Sequence, residues 1–270
     1  MNVCEKSSFT RNLSFHSIFK RQSNWSQMNN ASIHTQALRK VFGETVAVEN
    51  LTLAIIPGSI TALLGSNGAG KSTTMGMLLG LLEPTSGCIE MLVHDLQTKR
   101  SSIAPYINFS SPYVDLPNRL TVRQNLTVYG HLYGVVNLKE RIDELAERLQ
   151  INDLLDRRHG SLSAGQRTRA SLAKSLINSP RLLLLDEPTA SLDPDTADWV
   201  RGLLMSYRVE TGATIFMTSH NMFEVERMCD DVIVMKQGAI VARGAPIDLM
   251  TRFEKENLEE VFLEIVRNLS

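Results

Sequence analysis

The sequence is poor in cysteine, in net charge and in long apolar runs. Its 270 residues include three cysteines, Cys4, Cys88 and Cys229, which form no C-x-x-C pair. We therefore expect a reducing compartment and no disulfide framework. The 28 basic and 29 acidic residues give a net charge of −1, so charge offers no reason to expect a nucleic-acid partner. No apolar run approaches the roughly 18 residues of a membrane span, so a role at a membrane would require another chain to cross it.

The first 32 residues differ in composition from the rest. They are rich in serine and asparagine, and four basic residues stand against a single acid, Glu5. We expect residues 1–32 to form an irregular N-terminal tail. Two alternatives stay open, an organelle transit peptide and a translation start at Met28.

Glycine is concentrated in GSNGAGKSTT, residues 65–74. The segment matches G-x-x-x-x-G-K-[ST], a loop whose backbone N–H groups cradle phosphates. Residues 59–64 are typical of a buried strand, and the apolar residues after Lys71 recur at helical spacing. Strand, loop and helix together favour a nucleotide site over a flexible turn before a core helix. The expected nucleotide-binding residues are Gly65, Ser66, Asn67, Gly68, Ala69, Gly70, Lys71, Ser72 and Thr73.

Two later strands end in groups suited to phosphate chemistry. RLLLLDEP, residues 181–188, is an apolar strand ending in two carboxylates. Asp186, together with Ser72, would ligate Mg²⁺, while Lys71 would reach the terminal phosphates. Glu187 would deprotonate the attacking water. A buried strand ending in a solvated acidic turn is the alternative.

Residues 214–218 also read as a strand, followed by Ser219 and His220. The carboxyl ends of strands in one sheet share an edge, so His220 could reach the γ-phosphate. The remaining histidines are expected to be surface or packing residues: His16, His34, His94, His131 and His159.

A second anion site is indicated in SLSAGQRTRASLAKSLI, residues 161–177. Ser163 and Gln166 have capping-box spacing and open a helix whose end is bare because Ala164 and Gly165 are small. The alternative is a capped amphipathic helix and nothing more. One chain cannot easily fold both phosphate sites onto one γ-phosphate, whereas two chains packed head to tail can.

In this order the motifs resemble those of the ATP-binding subunit of ABC transporters over residues 33–245. LSAGQ (162–166) corresponds to the family signature, LLLLDEP to its acidic strand, SLDP (191–194) to its D-loop and His220 to its switch histidine. Phe42, in RKVFG, fits the position that stacks on adenine. The resemblance implies a homodimer that sandwiches two ATP molecules with Mg²⁺. The residues expected to contact the neighbouring subunit's ATP are Ser163, Ala164, Gly165, Gln166 and Asp193.

The resemblance also implies a fold and a setting. The fold is α/β, a P-loop NTPase core with an antiparallel β-subdomain and a helical subdomain at about 110–175. The ATP-binding domain would span 33–245, and 246–270 would be a short helical tail. ATP hydrolysis would drive a separate polytopic membrane permease from the cytoplasmic face of the cell membrane, with no nucleic acid involved.

The sequence departs from the family in its coupling loop. The family has a glutamine after the strand that precedes the helical subdomain, but here the expected strand, residues 103–109, ends in Ser110 and Ser111. Gln124 is better explained as the capping partner of Thr121. We therefore expect Ser111 to replace the glutamine, with slower or differently coupled hydrolysis.

The order of the remaining elements points to a class within the family. Residues 46–56 alternate as an antiparallel strand, 121–155 are helical, and 233–241 form a hairpin turning at Gln237 and Gly238. LEEVFLEIV, residues 258–266, resembles the short tail of exporter subunits for drugs, polysaccharides and lipo-oligosaccharides. An ABC ATPase acting on ribosomes or DNA is the main alternative, although the chain shows a single cassette and no long coiled-coil run. A small-molecule kinase or GTPase would leave the signature unexplained.

Overall fold

The computed structural model describes residues 31–111, 114–190 and 192–268. The expectations for residues 1–30 and for Ser191 of the D-loop lie outside the described residues. Ten strands lie within the described ranges: β1 Ile33–Phe42, β2 Thr45–Ile55, β3 Ile60–Gly65, β4 Ser86–Met91, β5 His94–Asp95, β6 Ile107–Ser110, β7 Leu182–Asp186, β8 Thr214–Thr218, β9 Asp231–Lys236 and β10 Ala239–Gly244.

Nine α-helices lie in the same described ranges: α1 Lys71–Leu78, α2 Leu96–Ile103, α3 Val122–Leu132, α4 Leu138–Arg148, α5 Ala164–Leu176, α6 Pro194–Thr211, α7 Met222–Met228, α8 Pro246–Phe253 and α9 Leu258–Asn268. Short 3-10 turns occupy Ala104–Tyr106, Asn152–Leu154 and His159–Ser161. Among the described residues no helix is both long and apolar enough to cross a bilayer.

Two sheets organise the chain. The smaller is antiparallel, with strand order β2-β1-β4-β5, and the larger has the order β10-β9-β3-β8-β7-β6. In the larger sheet every pairing is parallel except that of β9 with β10. The carboxyl ends of β3, β8, β7 and β6 therefore lie side by side at one edge, where open α/β sheets bind ligands.

Strand β7, the neighbour of the edge strand β6, is buried on both faces. Leu182 and Leu184 pack with the antiparallel sheet and α1, whereas Leu183 and Leu185 pack with the helices on the opposite face. A strand covered on both sides must be apolar throughout, which explains the unbroken LLLL run. The chain is thus a three-layer structure with the large sheet in the middle.

The helical lobe, formed by α3, α4 and the start of α5, follows the expected pattern. The Thr121–Gln124 capping box is present at the start of α3, as predicted. Ile142 and Leu145 of α4 are buried, as is Leu149 just after the helix. The lysine and the acidic residues of α4 are exposed. The amphipathic pattern therefore identified the correct buried face.

The predicted strand at 103–109 is wrong at its start. Helix α2 runs to Ile103, a 3-10 turn follows, and β6 begins only at Ile107. Pro105 is the cause, because its ring fixes φ and it lacks the N–H that a strand or helix would use. The predicted hairpin is confirmed, since Gln237 and Gly238 both have positive φ, 49° and 80°, as a type I′ turn requires.

The two C-terminal helices belong to the same apolar cluster as the core. Leu249 of α8 and Leu258, Val261 and Ile265 of α9 are buried in the cluster that contains Val225 of α7. Lys236 of β9 donates through Nζ to the carbonyl of Val266 at 2.7 Å. The predicted helical tail is therefore packed against the helix that follows His220.

Candidate nucleotide-hydrolysis site

The glycine loop connects β3 to α1 in a conformation that its glycines permit. Gly68 and Gly70 have positive φ, 79° and 103°. A Cβ at Gly70 would lie 2.6 Å from the carbonyl oxygen of Ala47, so glycine is needed there for space as well as for φ. Gly70 is the N-cap of α1 and supplies no side-chain cap. The first N–H groups of α1 therefore have no side-chain oxygen to bind, which suits an anion.

The predicted nucleotide-binding residues are contiguous in this loop and the first turn of α1. Ser66, Asn67, Gly68 and Ser72 are exposed, whereas Gly65 and Ala69 are buried. Lys71 lies across the loop, and its Nζ donates to the carbonyls of Gly65 at 2.5 Å and Ser66 at 3.2 Å.

Burial and nearby negative charge have opposite effects on the pKa of Lys71. Burial lowers the pKa of Lys71, and the nearby carboxylates of Glu187 and Asp186 oppose that shift. The structure therefore brings the predicted phosphate-binding lysine into the field of both predicted acidic residues.

Asp186 ends β7 and is held by two hydroxyl groups. Thr218 lies opposite it in the parallel register of β7 and β8, and its Oγ1 donates to Asp186 Oδ1 at 2.6 Å. Ser111, just after β6, donates to Oδ2 at 3.1 Å. The serine expected in place of the coupling glutamine thus contacts the predicted metal ligand directly.

Glu187 and His220 are brought into contact. His220 Nδ1 lies 2.7 Å from Glu187 Oε1, and the Glu187 side chain is 11% exposed against 68% for His220. The backbone of Glu187 has a φ of 52°, the left-handed region that is costly for a residue with a side chain. Its N–H donates towards both the carbonyl and Oγ1 of Thr218.

The signature residues open α5 as predicted. The Gln166 N–H donates to Ser163 Oγ at 3.3 Å, and the Ser163 N–H donates to Gln166 Oε1 at 3.1 Å. A Cβ at Gly165 would lie 3.5 Å from Thr196 Oγ1 on α6, so the start of α5 packs closely on the start of α6. Ala164 lines a cleft of about 280 Å³ that also contains Asp186 and Glu187.

None of the phosphate-loop residues 65–73, all of which the structure describes, lines that cleft. The start of the signature helix α5 thus faces a cleft that the phosphate loop does not line.

Asp193 caps the next helix. Its Oδ1 accepts from the Thr196 N–H at 3.0 Å and its Oδ2 from Thr196 Oγ1 at 2.7 Å. These hydrogen bonds lower the pKa of the Asp193 carboxyl. Phe42 lies at the end of β1 with 49% of its surface exposed, and Lys40 Nζ stands 5.1 Å from the centre of its ring.

A family model described as ABC transporter matches residues 48–190. The chain belongs to the ABC transporter family. It is an ATP-binding subunit and an ATP hydrolase, as the sequence predicted. Action on ribosomes or DNA is not favoured by any of these comparisons.

Named relatives support the same assignment. The Nod factor export ATP-binding protein I of Rhizobium sp. (strain N33) is 35% identical over 239 residues, covering 87% of this ABC chain and 78% of that protein. The ABC transporter ATP-binding protein NatA of Bacillus subtilis (strain 168) is 34% identical over 228 residues, covering 83% and 92%.

A solved structure shows the same fold. The cbiO1 protein from Clostridium perfringens, described as part of the ABC transporter complex cbiONQ, superposes with a TM-score of 0.72 at 29% identity, covering 83% of this chain and 92% of that one. The predicted fold class, an α/β ABC ATPase, is confirmed.

Sequence reasoning missed several residues of this ABC site. The sequence predicted Thr218 only as part of a strand, and it gave no prediction for Thr189 or Glu224. The only local signal for Thr218 was a hydroxyl at the end of an otherwise apolar strand. Among the histidines expected to be surface or packing residues, His159 is buried with Nδ1 3.1 Å from Asn118 Oδ1, and His34 contacts Glu90.

Proposed function

We propose that two copies of this ABC subunit close head to tail around two ATP molecules and hydrolyse them to drive export through a separate permease. The observation that carries this proposal is that Ser163 and Ala164 are exposed at the start of α5, and that the phosphate loop of the same chain does not line the cleft beside Ala164. A second copy would supply Ser163, Ala164, Gly165, Gln166 and Asp193 to the phosphate loop of the first. Closure of two such halves completes the site.

Within each half, the described contacts suggest distinct roles. Lys71 and the N–H groups of the loop would bind the β- and γ-phosphates. Glu187, with His220 hydrogen-bonded to it, would accept the proton of the attacking water, and His220 would sense the γ-phosphate. Phe42, exposed at a strand end, would stack on adenine.

The residues at the sheet edge fit Mg²⁺. Asp186 is oriented by two hydroxyl donors, and Ser72 places a third hydroxyl in the first exposed turn of α1. Magnesium in nucleotide sites uses one or two carboxylates together with substrate phosphates, so Ser72 and Asp186 form a sufficient protein contribution. Bound there, Mg²⁺ would neutralise charge on the phosphates.

A permease partner is supported by an exposed apolar patch on the helical lobe. Val128, Leu132 and Val136 are 48, 75 and 81% exposed, and the first two lie one turn apart on α3. Apolar side chains grouped on a surface mark interaction sites. We call these three residues the lobe patch and propose that it docks on the cytoplasmic side of the permease, which would place the subunit at the cytoplasmic face of the membrane.

Export is the direction we favour. Two relatives carry names that state export or ABC transport, the Nod factor export protein of Rhizobium and NatA of Bacillus subtilis. Their similarity extends over 87% and 83% of this chain. The proposal therefore places this subunit with exporters while leaving the cargo to the permease.

Complementation between two inactive variants tests the dimer. Ser163→Arg blocks the signature end, and Lys71→Ala removes the phosphate lysine, so each variant alone should be inactive. In a mixed dimer, one composite site keeps an intact Lys71 from one chain and an intact Ser163 from the other. Mixing should therefore restore ATP hydrolysis, measured as phosphate release.

The matched control is Ser206→Arg, which makes the same substitution at an exposed serine in the second half of α6, away from the signature, and should retain hydrolysis. Mixed dimers are verified by cross-linking. A mixture that contains cross-linked mixed dimers yet releases no phosphate contradicts the head-to-tail arrangement.

A further inference from the structure

A carboxylate outside the assigned site is buried beneath it. Glu224 lies on α7, four residues after His220, and is 1% exposed. Its Oε1 accepts from Arg201 Nη1 of α6 at 2.9 Å, and its Oε2 accepts a short hydrogen bond from the hydroxyl of Thr189. A carboxylate removed from water is tolerated only when it is paired and hydrogen-bonded, and Glu224 meets both conditions.

Thr189 belongs to the turn that carries Glu187. The Ala190 N–H donates to the Glu187 carbonyl at 3.1 Å, which closes the turn around Thr189. Glu187 itself has a φ of 52°. A backbone in this region persists only where the surrounding structure holds it on several sides.

The turn is held at both ends. On the strand side, the Glu187 N–H bonds Thr218. On the helix side, Thr189 bonds Glu224. His220 directly precedes Asn221, the N-cap of α7, whose side chain accepts from the Glu224 N–H, so the same short segment carries the histidine that contacts Glu187.

Arg201 extends the connection to the D-loop helix. It lies on α6, which begins at the cap Asp193, and it also pairs with Asp198 at 2.7 Å. Glu224 therefore joins three segments, the Glu187 turn, α6 and α7. Buried ion pairs are poor sources of net stability because desolvation offsets their attraction, so holding a geometry accounts better for this one.

We propose that Glu224 is a positioning residue for ATP hydrolysis, which acts through Thr189 to hold the Glu187 turn in its left-handed conformation against His220. The inference rests on the proposed role of Glu187 as the base. Glu224 touches neither nucleotide nor water in this arrangement, and its effect is on where the base points.

Thr189 offers a test that preserves shape. Thr189→Val keeps the side-chain outline and removes the donor to Glu224, whereas Thr189→Ser keeps the donor. We expect kcat per nucleotide-binding site to fall about tenfold in Thr189→Val with KM for ATP nearly unchanged, as for a lost transition-state alignment. Thr189→Ser should recover most of the wild-type rate. Thr251→Val, on α8, is the matched control and should leave the rate unchanged.

Nucleotide-binding sites are counted by titration with a non-hydrolysable ATP analogue, so a loss of folded protein does not lower the measured rate per site. A wild-type rate per site in Thr189→Val, even with a lowered melting temperature, overturns the inference. So does a rise in KM with kcat unchanged.

Glu224→Gln provides a second, independent comparison. Glutamine has one acceptor oxygen where the carboxylate has two, so Glu224→Gln weakens the contact that Thr189→Val removes. The rate loss of the double variant Glu224→Gln/Thr189→Val should therefore be well below the product of the two single losses. Losses that multiply in full contradict a shared contact. If Glu224→Gln does not fold, the comparison of Thr189→Val with Thr189→Ser still tests the inference.

Glu187→Gln separates this inference from the function on which it rests. If Glu187→Gln hydrolyses ATP at the wild-type rate, the base assignment fails and the positioning role fails with it. If Glu187→Gln is inactive while Thr189→Val is unaffected, the positioning role alone is wrong.

Discussion

At the scale of single residues, the site depends on hydroxyl groups that orient carboxylates. Asp186 accepts hydrogen bonds from Thr218 and from Ser111, at 2.6 and 3.1 Å. Groups that orient a metal ligand commonly change metal affinity or activity by about 10- to 100-fold when removed. We therefore expect Ser111 to orient Asp186, a role that could not be inferred from its side chain being shorter than that of glutamine.

Ser111→Ala should raise the Mg²⁺ concentration needed for half-maximal ATP hydrolysis by about tenfold, because one of the two donors to Asp186 is lost. The measurement is a Mg²⁺ titration of phosphate release at saturating ATP. Ser110→Ala, which removes the neighbouring hydroxyl, is the control. Identical Mg²⁺ curves for Ser111→Ala and the wild type would show that Ser111 does not act on Asp186.

Glu187→Gln should bind ATP with near wild-type affinity and lose hydrolysis by at least about 100-fold, the order expected for a lost general base. Because the proposed dimer would reopen only on hydrolysis, the ATP-bound dimer should accumulate and be visible by size-exclusion chromatography. Glu210→Gln, on the exposed end of α6, is the matched control. Accumulation of dimer in the control would remove the link between this carboxylate and reopening.

At the scale of secondary-structure elements, a partly buried lysine connects α5 to β6. Lys174 Nζ donates to the Phe109 carbonyl at 2.5 Å and lies 5.4 Å from the centre of the Tyr129 ring. Burial lowers the pKa of Lys174 from 10.5 to about 8. The helix that begins with the signature is thus attached to the strand that leads into the coupling loop.

The lowered pKa of Lys174 predicts that the free energy of unfolding rises with pH. Between about pH 8 and 10.5 the folded chain has released the Lys174 proton while the unfolded chain still holds it, so raising the pH favours the folded state. From pH 7.5 to 10, the free energy of unfolding of the wild type should rise by about 2 kcal/mol relative to that of Lys174→Met. Urea denaturation at both pH values measures it, and Lys139→Met, an exposed lysine, should show no such difference from the wild type.

The same scale shows what the sequence could and could not predict. Helices α3, α4 and α5 and strands β7 and β8 were predicted because their caps and apolar spacing are local features. The strand at 103–109 was misjudged because Pro105 interrupts an otherwise apolar run. The contacts of Glu187 with His220 and of Thr189 with Glu224 join segments more than 30 residues apart, and no local pattern encodes which polar groups the strand order brings together.

At the scale of the whole molecule, the lobe patch and the hydrolysis site lie on different parts of the chain. Leu132→Asp should therefore reduce co-purification with the proposed permease while leaving the ATPase rate of the isolated subunit within about twofold, as surface changes usually do. Val209→Asp, at an equally exposed apolar position on α6, is the control. Undiminished co-purification of Leu132→Asp would place the permease contact elsewhere.

The left-handed backbone at Glu187 has a consequence for the protein as a whole. Glycine adopts that conformation without steric cost, so Glu187→Gly should raise the free energy of unfolding. The same change removes the proposed base and should abolish ATP hydrolysis. Selection for thermal stability and selection for ATP hydrolysis therefore favour different residues at this position. A library of variants at this position, screened only for survival on heating, would be expected to enrich folded proteins that do not hydrolyse ATP.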